Sequence, residues 1–378
     1  MHKSFDLKDL KILDALAAYG PRNVTNLSKK LNMPAETLRK RIKRLYTQTF
    51  LRFNINVHHT NLGLRKAVLF AESVPGYENT LFDALKINDF WIFVSRCYGM
   101  FEGCVGIFSV PNENYFHFEH FVGELERTGL ARKTQIFWST SFHSVHSRCK
   151  WFNHKRKTWN FEWDKWVLEI QNEGTNLPYT LVDTGIFSVK VDEIDVLILK
   201  ELEKDATISF KRLGEKIGIS PQLASYHFHN HVVGRNLLKS FEVGVFHFGK
   251  DSEFSFFIFS FDDGQKLAKF ASSLLDKPFT KALGKILDKT ELYAYLYFPR
   301  SEFRRFLDVL SKLVRNGFLE SYQYVIQDLA NSSRATIPFQ CFKNGKWLYD
   351  HRRYIKILHK FVKEKPLINN QGIRIHSR

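Results

Sequence analysis

Cationic side chains crowd residues 35–46 at a spacing that suits binding to phosphates. Leu38, Ile42 and Leu45 recur there at i, i+4 and i+7, so an α-helix would gather them on one stripe and leave the cations outside. Lys and Arg on such a face neutralise phosphates, and first-turn residues reach base edges in the major groove. The segment is therefore predicted to bind duplex DNA, with a merely solvated basic helix as the alternative. The predicted contact residues are Glu36, Thr37, Arg39, Lys40, Lys43 and Arg44.

The same pattern of residues occurs twice in the chain. Residues 6–16 align without a gap on residues 192–202, and the same offset places Leu27 on Leu213. Repetition on this scale indicates two similar halves fused in one chain. A duplicated reader suits a target with two-fold symmetry, such as duplex DNA.

The second copy of the basic segment is chemically different. Residues 222–231 contain no Lys or Arg, so a grip on DNA would depend on hydrogen-bonding groups. This copy either reads a different half-site or serves packing, and DNA contact is the favoured interpretation. His227 and His231 stand at i and i+4, but two imidazoles alone fall short of a metal site and no metal is predicted. The predicted DNA contacts are Gln222, Ser225, Tyr226 and His229.

Helical and strand periods predict an α+β fold, a tandem repeat of a winged helix-turn-helix and a ferredoxin-like βαββαβ domain. Residues 50–57 alternate as the strand pair of a wing would. Two trailing segments with matching Trp159 and Trp347 are expected to cover the sheets, and residues 171–191 to form an extended linker. The predicted segments are 1–62 and 192–248 (winged helix-turn-helix), 65–146 and 252–336 (ferredoxin-like), 147–191 (aromatic and basic segment with the linker) and 337–378 (trailing helical segment and tail).

Residues 192–221 carry a family resemblance. Asp192-Glu-Ile-Asp195-Val-Leu-Ile-Leu-Lys-Glu-Leu202, followed by residues 208–221, closely resembles the opening of the leucine-responsive regulator/AsnC family. Those transcription regulators of bacteria and archaea join a winged helix-turn-helix to a ferredoxin-like effector domain. The resemblance implies a sequence-specific DNA-binding regulator, here of archaeal type with both readers in one chain. An intramolecular pseudo-dimer is therefore expected, and a further homodimer stays open.

A turn in the first half is a candidate ligand site. Gly99-Met-Phe-Glu102 resembles the family's Gly-x-x-Asp turn, near which amino-acid effectors bind, so Gly99 and Glu102 are candidate contacts of a small effector. The alternative is an ordinary hairpin turn. Cys97 and Cys104 would face each other across this hairpin, where buried reduced thiols are expected rather than a redox switch.

Bulk composition narrows the class of protein. A net charge of +17 favours a polyanionic partner. No apolar run approaches the roughly 20 residues of a membrane span, and the first residues lack the apolar stretch of a signal peptide, so no membrane partner and a cytoplasmic location are expected.

Enzyme motifs are sparse. The sequence has no Gly-rich phosphate loop, Gly-x-Ser-x-Gly elbow or His-Glu-x-x-His helix, so the expectation is a protein that is not an enzyme and has no cofactor. The alternative comes from siroheme decarboxylases, which resemble the same regulator family in architecture while acting on a tetrapyrrole. Because the sequence contains many His and aromatic residues, the alternative function is an enzyme of that architecture that binds a tetrapyrrole or another ligand.

Overall fold

The computed structural model describes residues 5–49, 51–182, 185, 189–249 and 251–365, and it is a mixed α+β structure. Its helices are α1 (Leu7–Tyr19), α2 (Val24–Lys30), α3 (Ala35–Thr49), α4 (Glu78–Leu85), α5 (Tyr115–Arg127), α6 (Trp163–Asn172), α7 (Glu193–Lys204), α8 (Phe210–Ile217), α9 (Pro221–Tyr226), α10 (Gly264–Leu274), α11 (Arg300–Arg315) and α12 (His351–Glu364). Its strands are β1 (Arg52–Val57), β2 (Leu64–Ser73), β3 (Trp91–Gly99), β4 (Gly103–Pro111), β5 (Ala131–Ser139), β6 (His143–Ser144), β7 (Phe152–Asn153), β8 (Thr158–Trp159), β9 (Leu238–Gly244), β10 (Ser252–Ser260), β11 (Thr280–Lys285), β12 (Glu291–Pro299), β13 (Ser321–Arg334), β14 (Phe342–Lys343) and β15 (Lys346–Trp347).

The chain divides into two compact units that do not follow the two halves of the sequence. Unit 1 comprises residues 1–58, 140–184 and 197–323, and unit 2 comprises residues 59–139, 185–196 and 324–378. None of the helices in the described ranges is long and apolar enough to cross a membrane. The six predicted segment boundaries remain a prediction.

In unit 1, β1 pairs antiparallel with β9, with Phe53 opposite Val243 and Ile55 opposite Phe241. The expected wing hairpin within residues 50–57 is therefore wrong: the segment supplies one strand, and its partner comes from the other helix-turn-helix. The reason is that an alternating pattern fixes which side chains are buried but not which strand pairs with it. Gly20 ends α1 beside this ribbon, where a Cβ would lie only 2.6 Å from the Phe241 ring.

The sheet of unit 1 has the strand order β10-β12-β11-β6. α10 and α11 come from the same βαββα run, and α6 packs against both. The trailing helix of the first half thus packs on helices of the second half's ferredoxin-like region. Its Trp166 is fully buried and its indole nitrogen donates to Ser273 Oγ at 3.1 Å.

The sheet of unit 2 has the strand order β5-β2-β4-β3-β13. β13 joins the edge of β3, with Val325 opposite Gly99, and runs well past the expected end at Gln327 after a shift in register. α12 packs on α5, burying Tyr354 and Leu358 in the core of this unit. The trailing helix thus contributes two side chains to a core that also contains residues of β2, β3 and β4.

Two further expectations need correction. Cys104 lies opposite Arg96 and Cys97 opposite Gly103, so the two thiols do not face each other across the hairpin. Both cysteines are free and buried, and burial raises the pKa of both thiols. The expected extended linker begins instead with the end of α6 and a 3₁₀ turn, Tyr179–Leu181. Residues 183, 184 and 186–188 of that linker, and 366–378 of the tail, lie outside the described residues.

Candidate functional sites

The first recognition helix, α3, presents an exposed cationic face. Arg39, Lys40 and Lys43 are all exposed, as is Thr37. Glu36 lies 3.6 Å from Arg39 and 3.9 Å from Lys40, distances that leave both cations available to other anions. The predicted DNA contacts on this helix are therefore exposed, with the exception of Arg44.

Arg44 and its neighbour Arg41 fix α3 to α1. Asp9 is 2% exposed and accepts hydrogen bonds from both guanidinium groups, that from Arg41 at 2.7 Å. Arg41 also binds Asp6, which is the N-cap of α1 in a capping box with Asp9. These two cations orient the helix, a role that the spacing of charges along α3 does not reveal.

The second recognition helix begins at a tightly built turn. Ser220 caps α9 by accepting from Leu223 N at 3.1 Å. Gly214 on α8 approaches the turn so closely that a Cβ would lie 2.5 Å from Ile219 O. These contacts explain why α8 and α9 form a helix-turn-helix at this point.

Beyond Tyr226 the second recognition helix widens into a π-helical segment, His227–Val233, where a continuous α-helix was expected. Gln222 and His229 are exposed and Tyr226 is 54% exposed, whereas Ser225 is half-buried. The His227 and His231 rings lie 4.4 Å apart. This reader therefore offers hydrogen-bonding groups and imidazoles, and its predicted DNA contacts remain predictions.

The turn at Gly99 and Glu102 is partly covered in unit 2. Gly99 has φ +125° and a Cβ there would meet the Tyr324 ring at 3.5 Å. Glu102 is exposed and lies 3.6 Å from Arg96. The positive φ, rather than the contact with β13, is what favours glycine here, and binding of an effector at this turn remains a prediction.

A groove between α5 and α12 in unit 2 was not predicted from the sequence. Its volume is about 680 Å³, and it collects imidazoles and cations from two segments far apart in the chain. We call it the α12 groove. Its lining residues are His120, His351, Arg352, Ile355, Lys356, His359, Lys360 and Lys363. The sequence does show cations at helical spacing on α12. The groove forms because α12 packs on α5, and the sequence did not predict that contact.

The imidazoles of the α12 groove form a connected network. His120 Nδ1 lies 3.1 Å from His351 Nε2, and the His351 ring stacks on His117 at 4.7 Å. Burial, with the nearby imidazoles of His117 and His120, lowers the pKa of His351. Glu124 bonds with His359 at 2.7 Å and with Arg127; although its burial opposes ionisation, these bonds hold its pKa below the ordinary value.

A groove between α6 and α11 in unit 1 has a different charge. It has a volume of about 620 Å³, and Glu162, Asp164 and Asp308 line it together with Lys165 and Lys312. No histidine is among its lining residues. It is therefore a natural control for experiments on the α12 groove.

Sequence comparison identifies one domain of this chain. Residues 191–224 match the AsnC-type helix-turn-helix domain. No curated protein shows a significant match to the sequence. The match covers α7, α8 and the start of α9, the region whose resemblance to the AsnC family was evident in the sequence.

Comparison of structures extends over nearly the whole chain. The crystal structure of the siroheme decarboxylase NirDL is similar over 95% of this chain and 99% of its own, with 9% identity and a TM-score of 0.55. NirDL in complex with an iron-uroporphyrin III analogue gives a TM-score of 0.53 at the same identity. E. coli AsnC covers 40% of this chain at 14% identity, with a TM-score of 0.30.

The whole-length similarity corrects one expectation. The prediction that this chain is not an enzyme is contradicted, because the fold that matches over 95% of it is that of a decarboxylase. Phosphate loops and hydrolase elbows belong to other classes of reaction, so their absence from the sequence does not exclude an enzyme of this fold. The chain is thus similar to siroheme decarboxylases in overall fold and carries an AsnC-type helix-turn-helix at residues 191–224.

Proposed function

We propose that this chain is an enzyme that binds a carboxylated tetrapyrrole and removes carboxyl groups from it. The observation that carries the proposal is the fold shared with a siroheme decarboxylase over 95% of this chain and 99% of that one. The α12 groove supports it chemically, since it combines imidazoles with several cations. Lys and Arg bind carboxylates through charge-assisted hydrogen bonds.

The α12 groove also offers groups for the chemistry. Loss of CO₂ from a side chain breaks a carbon–carbon bond and leaves an electron pair on carbon, which a proton donor must capture. His120 and His351, hydrogen-bonded to each other, are the proposed source and relay of that proton. Lys356 and Lys360, one helical turn apart and both exposed, are the proposed carboxylate contacts.

Titration with iron-uroporphyrin III, followed by its visible absorbance, tests this proposal. The Lys356→Ala/Lys360→Ala variant should bind roughly tenfold more weakly than the unchanged protein, because the substitutions remove two charged groups worth about 0.7 kcal/mol each. The control is Lys165→Ala/Lys312→Ala, which removes the same charge from the α6–α11 groove. Mass spectrometry of the porphyrin should show loss of carboxyl groups. An unchanged spectrum with the unmodified protein, or equal weakening in both variants, contradicts the proposal.

DNA binding is the second candidate function. The observation that favours it is the AsnC-type helix-turn-helix at residues 191–224, together with the exposed cations of α3. Under this proposal α3 supplies the electrostatic grip and α9 reads bases, so one chain holds both readers of a transcription regulator. The tandem repeat, the pseudo-dimer and the effector contacts at Gly99 and Glu102 belong to this proposal and rest on the sequence.

Retardation of genomic duplex fragments across a salt series tests the second candidate. Arg39→Ala/Lys43→Ala should lower affinity for all duplexes and reduce the salt slope by about two, one for each phosphate that is no longer neutralised. Ser225→Ala/Tyr226→Phe should change sequence preference more than affinity, because hydrogen bonds to bases specify while charges position. Absence of retardation for every duplex at low salt would reject DNA binding and leave the tetrapyrrole proposal intact.

A further inference from the structure

A second group of cations and imidazoles lies inside unit 1, away from either recognition helix. Residues 141–148, which follow β5, carry part of this group. Val145 N donates to Lys281 O at 2.9 Å, and Lys239 Nζ donates to Ser141 O at 2.6 Å. The segment thereby lies beside both β11 and β9. We call the resulting group the basic cluster; its members are His143, His146, Arg148, His247 and Lys281.

Arg148 is the rigid member of the basic cluster. It is only 3% exposed; its Nη1 donates to Asp14 Oδ1 at 3.0 Å and its Nη2 to Val243 O at 3.0 Å. Its Nε is buried and makes no hydrogen bond within the described structure. A fixed guanidinium with one buried donor left over can bind an oxygen atom at little cost in entropy.

His146 and His247 also hold buried nitrogen atoms without a hydrogen bond among the described atoms. His247 Nε2 lies 3.0 Å from Pro278 O, but its Nδ1 is buried without a hydrogen bond among the described atoms. The His146 nitrogens are likewise buried, near the Phe241 backbone but without a bond of standard geometry. Lys281 Nζ lies 4.9 Å above the Tyr297 ring, a ring that also contacts His247 at 5.2 Å.

Burial and neighbouring positive charges lower the pKa values of several groups in this region. Burial, followed by repulsion from Arg148, lowers the pKa of Lys281 well below its ordinary value, and the attraction of Glu242 and Asp14 does not offset it. Burial and the charges of Arg148 and Lys281 likewise lower the pKa of His146 and of His247. Burial and Lys239 lower the pKa of His143 to about 4.

We propose that the basic cluster binds a small oxyanion, the carboxylate or phosphate group of a ligand. The unsatisfied Nε of Arg148, the ring nitrogens of His146 and His247, and Lys281 Nζ are the proposed contacts. The site is separate from the α12 groove and from the recognition helices, because its contacts are residues 146, 148, 247 and 281 of unit 1, none of which lies on α3, α9 or that groove. Unsatisfied buried donors are costly, which is why an anion rather than an empty space is the expected occupant.

Calorimetry with inorganic phosphate and, separately, acetate at constant ionic strength tests the site in the full-length protein. One of the two should bind with proton uptake, because an anion raises the pKa of the neutral imidazoles and of Lys281. Binding of acetate, whose own charge is constant over this range, should therefore strengthen as the pH falls from 8 to 6. Stronger binding of phosphate identifies a phosphate-bearing ligand, and stronger binding of acetate a carboxylate.

Lys281→Met should weaken this binding at least roughly tenfold, the effect of one buried charged contact. Lys289→Met, which removes an exposed charge from the turn after the same strand, should leave it unchanged. Without anion, Lys281→Met should melt above the unmodified protein because methionine lacks the amine whose charged form burial and Arg148 disfavour, and phosphate or acetate should narrow that gap. If neither anion binds the unmodified protein, or if both variants bind equally, the basic cluster is not an anion site.

Discussion

Replacing Trp166 with Ala should lower the free energy of unfolding by about 3–5 kcal/mol, the usual cost of truncating a buried tryptophan. The indole is fully buried and contacts Phe270, Phe279 and Phe306 at ring distances of 5.7, 5.7 and 5.8 Å. Truncation also removes the donor of the hydrogen bond to Ser273, which leaves that hydroxyl with one partner fewer in the core. Chemical denaturation of the full-length protein measures the change.

Leu168→Ala is the matched control for this substitution. Leu168 lies on the same helix and is 61% exposed, so its removal should change stability by less than about 0.5 kcal/mol. A similarly small effect from both substitutions would mean that α6 does not dock on α10 and α11 in solution.

The packing of α6 also shows where sequence reasoning stops. The matching tryptophans of the two trailing segments, Trp159 and Trp347, are only half-buried, whereas the fully buried anchor of α6 is Trp166. The sequence did not identify the surface on which α6 packs. α6 follows the first half of the sequence but packs on α10 and α11 of the second half. An apolar stripe on a helix does not specify which apolar surface it will contact. The same limit applies to β1, whose alternation predicted a strand but not its pairing with β9.

The candidate sites also differ in how far the sequence alone predicts them. The exposed face of α3 follows directly from the spacing of Leu38 and Ile42, since a local helix determines which side chains face outward. The α12 groove joins His120 to His351, and the basic cluster joins Arg148 to Lys281. In both, the chemistry arises only when distant segments meet, and single histidines or lysines in a sequence are individually uninformative.

The overall fold and the helix-turn-helix resemble proteins of two different kinds. The fold is shared with a decarboxylase, whereas residues 191–224 belong to a DNA-binding domain type. In unit 1 the helix-turn-helix elements pair through β1 and β9, so the readers are built into the same compact unit as the second ferredoxin-like region. The exposed cations of α3 lie in this unit, and the proposed binding to DNA depends on their orientation.

Replacing Asp9 with Ala should disrupt that orientation and lower the free energy of unfolding by about 2–4 kcal/mol. The substitution removes the buried carboxylate that binds Arg41 and Arg44 and also breaks the capping box at the start of α1. The partial exposure of both guanidinium groups keeps the expected cost below that of a fully buried pair.

Asp251→Ala provides the control for Asp9→Ala, because Asp251 is an exposed carboxylate outside the predicted DNA contacts whose ion pair with Arg300 is long, at 3.6 Å. Its removal should change stability by less than about 0.5 kcal/mol. Thermal and chemical denaturation of both variants, with retardation of duplex DNA under the same conditions, measures the two consequences together. Equal stability losses would show that the network around Asp9 does not hold α3. Loss of DNA binding only in Asp9→Ala, at a temperature where that variant is still folded, would show that the position of α3 as well as its charge is needed.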